Sequence, residues 1–262
     1  MLLLVDVGNT RIKWALADCA TIGDADLGRW ATSGSVAREQ IAQLEDVWRN
    51  LNIARAILTN VAGQAMRDKL EQILSRAVDA RPVPIEWFVS LPSLAGVRNG
   101  YRQPQQLGSD RFASAIGAHA LFPDRTLIIA TCGTATTIDA VTADGVFTGG
   151  MILPGLNLMA SSLARNTAQL PEVLQHSERL APFADNTEEA IISGCIAAQV
   201  GAIERAFAYV RLGADESAQC IVSGGAAASI ASHLAIPYTP VDNLVLIGLQ
   251  AVARQYYDMS TC

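Results

Sequence analysis

The sequence predicts an α/β protein made of two duplicated halves that meet at a cleft. Its 262 residues leave room for two domains, and half of them are apolar, which is enough to build a core in each. The segment LLLVDVGNTRIKWAL, residues 2–16, is matched by TLIIATCGTATTIDAV, residues 126–141, about half the chain later. We therefore expect one domain in residues 1–120 and a second in residues 121–262.

Each copy of the repeat begins with an apolar strand, turns on a glycine and continues into a second, alternating strand. In the first half the pattern then predicts a strand, a helix, a strand, a helix and a strand over residues 29–34, 36–51, 54–62, 66–77 and 85–90. In the second half it predicts a strand, two helices, a strand and a helix over residues 145–155, 156–170, 188–212, 218–225 and 243–259. This order predicts two sheets, each covered by helices.

The composition argues against several kinds of partner. A net charge of −6 disfavours a broad nucleic-acid surface. The five cysteines form no Cys-x-x-Cys pair and the three histidines are scattered, so neither a disulfide framework nor a zinc site is predicted. The N-terminal apolar run is cut by Asp6, and no stretch has the roughly 18 uncharged apolar residues of a membrane helix. We expect a cytoplasmic protein with reduced thiols and no nucleic-acid or membrane partner.

The two glycine turns are the candidate phosphate-binding elements. The chain has neither a G-x-G-x-x-G segment nor a GK[ST] segment, which excludes two common phosphate loops. Gly8 and Gly133 would let the backbone approach a ligand closely. Backbone N–H groups and the hydroxyls of Thr10 and Thr134 could then donate hydrogen bonds to phosphate oxygens.

Asp6 and Lys13 add charge to the first turn. Asp6 interrupts an apolar strand, and its carboxylate would hold Mg²⁺ through water, because this ion keeps much of its hydration shell. Lys13 is one of only two lysines in the chain and would place a positive charge near the phosphates. An ordinary surface hairpin is the alternative interpretation of this stretch.

Paired turns of this kind, one in each half, resemble the superfamily that contains actin, sugar kinases and the heat-shock ATPases. The resemblance implies ribonuclease H-like halves that bind ATP in the cleft between them. The segment SGGAA, residues 223–227, resembles the adenosine-binding turn of that superfamily. The ATP-binding residues that the resemblance implies are Asp6, Val7, Gly8, Asn9, Thr10, Arg11, Ile12, Lys13, Gly133, Thr134, Gly224 and Gly225.

A third stretch narrows the resemblance to one family. VRNGYRQPQQLGSDRFASAIGAHALF, residues 97–122, follows the pattern N-x-Y-x-x-P-x-x-L-G-x-D-R. Together with DVGNTRIK and GTATTID, it resembles type III pantothenate kinase over essentially the whole chain. The implied activity is ATP-dependent phosphorylation of pantothenate to 4′-phosphopantothenate, the first step of coenzyme A synthesis.

Asp110 is the candidate general base. Gly108 and Ser109 precede a predicted helix, so Asp110 and Arg111 fall in its first turn, where the helix dipole favours an ionised carboxylate. A carboxylate there could accept the proton of a substrate hydroxyl, and the paired donors of Arg111 suit the carboxylate of pantothenate. The alternative is an ordinary charged helix start. In the family these positions, Gly108 to Arg111, contact the substrate.

The resemblance also implies roles for Tyr101 and Thr187. Tyr101 would line the pantothenate pocket, and Thr187 matches a threonine that can come from the neighbouring subunit, which implies a homodimer. The surrounding segment DNTEEA is also a plain helix cap, with Asn186 or Thr187 ahead of two glutamates, so both roles stay open for Thr187.

The chain departs from the family at one position. Members usually have an aspartate two residues before the Gly-Thr-Ala of the second turn, and it binds an activating monovalent cation. Thr131 stands there in this chain. A hydroxyl lacks the carboxylate charge, so we expect weak or absent activation by K⁺ or NH₄⁺.

Two other functions remain open from the sequence. The same fold could serve a kinase for another small hydroxylated substrate, or a phosphatase. A non-catalytic accessory or regulatory protein is the alternative of a different class.

Overall fold

The computed structural model describes residues 1–18, 26–78, 82–167, 170–171, 181–212 and 218–256. Cys19, His176 and Cys262, which were expected to be isolated side chains, lie outside these residues. The C-terminal ends of the helices predicted over 156–170 and 243–259 lie partly outside them as well.

The described strands and helices follow the predicted order with few changes. The strands are β1 (Leu2–Val7), β2 (Arg11–Ala17), β3 (Thr32–Ala37), β4 (Arg55–Asn60), β5 (Ile85–Trp87), β6 (Ser93–Leu94), β7 (Val97–Asn99), β8 (Leu127–Cys132), β9 (Ala135–Val141), β10 (Val146–Pro154), β11 (Gln219–Ser223) and β12 (Tyr238–Pro240). The α-helices are α1 (Gln43–Arg49), α2 (Gln64–Ala77), α3 (Ser109–Leu121), α4 (Leu156–Asn166), α5 (Thr187–Leu212), α6 (Ala227–Ala231) and α7 (Leu244–Tyr256).

The chain divides into two compact units. The first comprises Met1–Pro123, Gly145–Phe147 and the described part of Asn243–Cys262, and the second comprises Asp124–Asp144 and the described part of Thr148–Asp242. The expected halves, 1–120 and 121–262, differ from these units chiefly because α7 packs in the first unit.

The first unit contains a five-stranded sheet in the order β3-β2-β1-β4-β5. β1, β2 and β3 are antiparallel neighbours, whereas β4 and β5 run parallel to β1 and to each other. β1 is the central strand, and its first apolar residues, Leu2 to Val5, are completely buried. This burial on both faces explains the unbroken apolar run in the sequence.

Because side chains alternate between the two faces of a strand, the positions of their neighbours show which face of this sheet carries Asp6. The odd-numbered residues of β1, together with Ala56 and Leu58 of β4, pack in a core cluster with Leu44, Trp48 and other residues of α1 and α2. Neighbouring residues of a strand point to opposite faces. Asp6 and Thr59 therefore face the other side of the sheet, where α3 and α7 pack against β1 and β4.

Helices α3 and α7 approach each other at backbone distance. A Cβ added to Gly248 would lie 1.9 Å from the carbonyl oxygen of Ala113, and one added to Gly117 would lie 2.6 Å from that of Leu244. Only glycine permits this contact, which ties the C-terminal helix to the helix that begins next to Asp110.

The third strand was predicted three residues too early, and the helix after it was predicted too long. β3 pairs with β2 from Thr32 opposite Leu16 to Ala37 opposite Arg11, which takes in the start of the predicted helix. A short 3₁₀ turn, Arg38–Gln40, separates this strand from α1. Hydrogen bonding to a long neighbouring strand overrode the local helical spacing.

The second unit contains a sheet in the order β12-β11-β8-β9-β10. Cys132 and Ile138 of β8 and β9, and Ile191, Ile196 and Phe207 of α5, belong to its buried core. By length and composition, α5 alone among the described helices could cross a membrane (26 residues, mean hydropathy 1.3). Because its apolar residues fill the core of the unit, we interpret α5 as a core helix.

Candidate active site

Two acids of the first unit, Asp6 and Asp110, lie close enough to interact. Asp6 is the penultimate residue of β1, opposite Lys13 of β2 and beside Thr59 of β4. The pKa of Asp6 is raised to about 7, chiefly by burial and also by the nearby charge of Asp110, although the charge of Lys13 acts to lower it. A cation bound at Asp6 would offset both the cost of burying the charged carboxylate and its repulsion by Asp110, so this carboxyl group is suited to bind a cation.

Asp110 occupies the first turn of α3, as the sequence predicted. Its Oδ1 accepts a hydrogen bond of 2.8 Å from the backbone N–H of Arg111. Burial raises the pKa of Asp110, whereas this hydrogen bond and the charge of Arg111 lower it. A Cβ on Gly108 would lie 2.7 Å from the same Oδ1, so glycine two positions before Asp110 leaves space for the carboxylate.

A hydrogen bond joins the strand beside Asp6 to the helix that carries Asp110. Thr59 Oγ1 donates to Ser109 Oγ over 2.6 Å. Thr59 is the direct neighbour of Asp6 on the parallel strand, and Ser109 is the first residue of α3. The two acids are thus linked through one strand pairing and one side-chain hydrogen bond.

Arg111 is held in place by two aromatic side chains. It is almost fully buried, and its Nη1 donates a 2.9 Å hydrogen bond to the hydroxyl of Tyr101. Its guanidinium carbon lies 5.7 Å from the ring centroids of both Tyr101 and Phe147. A guanidinium fixed in this way is organised to bind an anionic group such as a carboxylate.

Asn99 explains the spacing of the N-x-Y-x-x-P pattern. Its Oδ1 accepts from the backbone N–H of Tyr101 over 3.0 Å, and its Nδ2 donates to the carbonyl of Pro104 over 3.0 Å. The buried amide therefore closes the loop that presents Tyr101 to Arg111.

The glycine turns of the two units resemble each other but differ in length. In the first unit, Gly8 N–H donates to the carbonyl of Arg11, and Asn9 and Thr10 are exposed at the tip. In the second unit, Gly133 N–H donates to the carbonyl of Ala135, so this turn is one residue shorter. Exposed backbone at both tips is available to a ligand.

The turn at Gly133 is in contact with two other glycine-containing segments of its unit, at Gly224 and Gly155. Gly224 has φ +101°, and a Cβ there would lie 2.3 Å from the carbonyl oxygen of Cys132. Gly155 N–H donates to the carbonyl of Thr134 over 3.0 Å. By contrast, a Cβ on Gly133 would make only an ordinary 3.5 Å contact, and one on Gly225 would meet nothing within 4 Å.

Thr187 and Thr131 also belong to the second unit. Thr187 is the exposed first residue of α5, and the helix is capped by Asn186, whose Oδ1 accepts from Glu189 N–H over 3.0 Å. The capping role that the sequence left open therefore belongs to Asn186. Thr131 is half-buried on β8, paired with Ser223 of β11.

Thr59 and Phe147 were not predicted from the sequence. Thr59 could have been noticed, because it is a polar residue near the carboxyl end of an apolar strand, as Asp6 is, and such ends share one edge of a parallel pair. Phe147 carried no signal of this kind, since an aromatic residue on a strand is ordinary core material.

Comparison with solved structures identifies the fold. A protein described as a 2-dehydro-3-deoxygalactonokinase from Sinorhizobium meliloti matches with a TM-score of 0.61, at 13% identity, over 98% of this chain and 99% of that one. A protein described as a Baf family transcriptional activator from Campylobacter jejuni matches with a TM-score of 0.57, at 16% identity, over 97% and 98% of the two chains. The fold is α/β, with two ribonuclease H-like domains.

Comparison of sequences identifies the family. The family model described as type III pantothenate kinase matches residues 2–209. A type III pantothenate kinase from Herminiimonas arsenicoxydans is 58% identical over the full length of both chains, and one from Janthinobacterium sp. (strain Marseille) is 58% identical over 98% of each. The predicted resemblance is confirmed: this chain belongs to the type III pantothenate kinase family.

Proposed function

We propose that this chain transfers the γ-phosphoryl group of ATP to the primary hydroxyl of pantothenate, giving 4′-phosphopantothenate and ADP. Family membership supports the choice of substrate. The observation that carries the mechanism is the pair Asp6 and Asp110, which are connected within the first unit by the pairing of Asp6 with Thr59 and the hydrogen bond from Thr59 to Ser109. Phosphoryl transfer to an alcohol needs a cation anchor and a proton acceptor, and two such acids supply both.

Asp110 serves as the general base. Its carboxylate takes the hydroxyl proton as the alcohol oxygen bonds to the γ-phosphorus. The bond from that phosphorus to the bridging oxygen of ATP breaks, and ADP leaves with the electron pair. Because burial raises the pKa of Asp110, its ionised form is a stronger base than a solvated carboxylate.

Asp6 is the residue that would hold Mg²⁺. The described residues contain no cluster of three or more His, Cys, Asp or Glu side chains that could enclose a metal ion. Mg²⁺ is commonly bound by one or two carboxylates, its own waters and the substrate phosphates. The ion, when bound, neutralises negative charge on the phosphates.

The two turns are the proposed phosphate-binding elements. In the first unit, the residues from Val7 to Ile12 present backbone to a ligand, and Lys13 adds positive charge. In the second unit, Gly133 and Thr134 would bind phosphate oxygens, and Gly224 and Gly225 would pack beside adenosine. The exposed tips of both turns support these roles.

Pantothenate would bind next to Asp110. Arg111, fixed by Tyr101 at 2.9 Å, offers paired donors for its carboxylate. Gly108 and Ser109 lie at the start of α3, where backbone N–H groups are free of intrahelical partners and can bind substrate oxygens.

Activation by monovalent cations should be weak. Thr131 provides a hydroxyl where the family usually has a carboxylate, so a cation there gains less electrostatic stabilisation. We expect activity to change less than twofold when KCl replaces a non-activating salt at constant ionic strength. Strong activation that saturates at low K⁺ would contradict this expectation.

A cytoplasmic homodimer is the proposed state of the protein. The exposed side chain of Thr187 is accessible to a second copy, as the family resemblance requires. Met151 and Ile152 on β10 are also exposed, and a second copy would remove such apolar side chains from water. Neither a nucleic acid nor a membrane is proposed as a partner.

The test is to incubate the purified protein with ATP, Mg²⁺ and pantothenate and to measure 4′-phosphopantothenate by mass spectrometry. Other small primary alcohols are offered in parallel and compared by kcat/KM. The proposal predicts one ADP for each 4′-phosphopantothenate and the highest kcat/KM for pantothenate. A higher kcat/KM for another alcohol would overturn the substrate, and ATP binding without turnover would overturn the activity.

A further inference from the structure

We propose that Thr59 is a positioning residue for phosphoryl transfer: through its hydrogen bond to Ser109 it fixes the start of α3, and with it Asp110, relative to Asp6. The inference rests on the proposed function of the two acids. Thr59 itself lies outside the segments that resemble the family's functional motifs.

The position of Thr59 links the two acids directly. It pairs with Asp6 in the parallel register of β1 and β4, and both side chains lie on the sheet face that α3 and α7 cover. Its Oγ1 donates to Ser109 Oγ over 2.6 Å, across 50 residues of sequence.

The hydroxyl of Thr59 is both buried and hydrogen-bonded. Thr59 is completely buried on an interior strand. Valine has nearly the same shape, is a better strand former and carries no hydroxyl to be removed from water. A hydroxyl at such a position contributes through its hydrogen bond, and here that bond ends on a residue of the substrate-binding segment.

The bond also orients Ser109. The 2.6 Å separation of the two hydroxyl oxygens restricts the rotation of the Ser109 side chain. The next residue is Asp110, so a rotation of Ser109 or a shift of the helix start would move the base. A displacement of about 1 Å at a reacting group can cost roughly 100-fold in rate.

The test compares Thr59→Val, which removes the hydrogen bond at constant shape, with Thr59→Ser, which keeps it. We expect Thr59→Val to lower kcat at least 10-fold and to leave the Kd for MgATP within twofold. Thr59→Ser should retain kcat within threefold. This split, with rescue by serine and an unchanged stoichiometry of MgATP binding, is the signature of a positioning role, because loss of folded protein would lower the binding stoichiometry together with kcat.

Thr136→Val is the matched control for stability. Thr136 is also completely buried on a strand, and its hydroxyl has no hydrogen-bond partner among the described residues. The change in melting temperature that this variant shows measures the cost of the substitution itself. If Thr59→Val does not fold, Thr59→Ala and Thr59→Ser, which both lose the methyl group, replace it as the pair to compare.

A double-mutant cycle with Ser109→Ala tests the route. If Thr59 acts through Ser109, Thr59→Val should have little further effect on kcat in the Ser109→Ala background. Equal effects of Thr59→Val in both backgrounds would overturn the inference, as would unchanged kcat in Thr59→Val. Absence of pantothenate phosphorylation by the wild-type protein would instead overturn the proposed function, so the two failures are distinguishable.

Discussion

At the scale of single residues, the site depends on acids held in an environment that disfavours their charge. Burial raises the pKa of both Asp6 and Asp110. Charged groups that a fold destabilises in this way are typical of functional positions. The stability of the ligand-free protein should therefore depend on pH through Asp6.

We predict that Asp6→Asn stabilises the ligand-free protein at pH 8 but not at pH 4. The pKa of Asp6 is about 7 in the folded chain against 3.8 as its ordinary value. The protonated carboxyl is therefore favoured by folding, and the stability it contributes is lost as pH rises from about 4 to about 7. Asparagine carries no charge at any of these pH values.

The measurement is the free energy of unfolding of both proteins, with a chelator present, between pH 4 and pH 9. The difference between them should grow across that window by at most about 1.4 kcal/mol per pH unit and then become constant. A difference that is constant with pH, or that shrinks as pH rises, would contradict the assignment.

The sequence predicted individual residues well where the signal was local. The first-turn position of Asp110 and Arg111 followed from glycine, serine and an apolar helical pattern, and the structure has this helix start. The hydrogen bond from Thr59 to Ser109 could not be predicted, because its partners are 50 residues apart and only the packing of α3 on the sheet brings them together.

At the scale of elements, some glycines of the second unit are required by the fold and others are not. Gly224 has a positive φ and lies against the carbonyl of Cys132, so the fold itself requires glycine there. Gly133 and Gly225 have no such constraint. Glycine at an unconstrained and exposed turn position is best explained by the approach of a ligand.

We predict that Gly133→Ala weakens ATP binding at least 10-fold and changes the melting temperature by less than about 2 °C, because its Cβ meets only an ordinary contact in the protein. Gly224→Ala is the matched comparison and should lower the melting temperature strongly. Calorimetric titration and thermal unfolding measure the two effects. Normal ATP affinity in Gly133→Ala would remove this turn from the nucleotide site.

Prediction of elements failed where pairing partners decided the outcome. Val36 belongs to an apparent helical pattern, yet it lies in β3 opposite Ile12 of β2. The long helices α2, α3 and α5 were predicted within a few residues, because their periodicity extends over several turns. Short elements have too few periods to compete with the hydrogen bonds of a sheet.

At the scale of the whole molecule, the chain does not divide at its midpoint. The repeat of strand, glycine turn and strand indicated two halves of similar length, but α7, at the end of the sequence, packs on α3 in the first unit. The repeat could not predict this packing of α7, because the surface on which a helix packs depends on which apolar surface the rest of the fold leaves uncovered. Family membership and the fold, by contrast, were correctly predicted from three motifs in order.

We predict that residues 1–123 do not form a stable unit alone. Without α7, the backbone surface around Gly117 and Ala113 that contacts Gly248 would be exposed to water. Thermal unfolding of this fragment followed by circular dichroism should show no cooperative transition, whereas the full chain should show one. Ordinary domains unfold at roughly 45–65 °C. A cooperative transition of the fragment above about 40 °C would therefore contradict the division.

The central claim is that Asp110 removes the proton of the acceptor alcohol, and Asp110→Asn tests it most directly. The asparagine is nearly isosteric and cannot accept the proton, so kcat for pantothenate should fall by roughly 10²- to 10⁴-fold. The affinity for MgATP and the melting temperature should remain close to those of the wild-type protein. If Asp110→Asn instead turns over pantothenate at the wild-type rate, Asp110 is not the base and the mechanism is wrong.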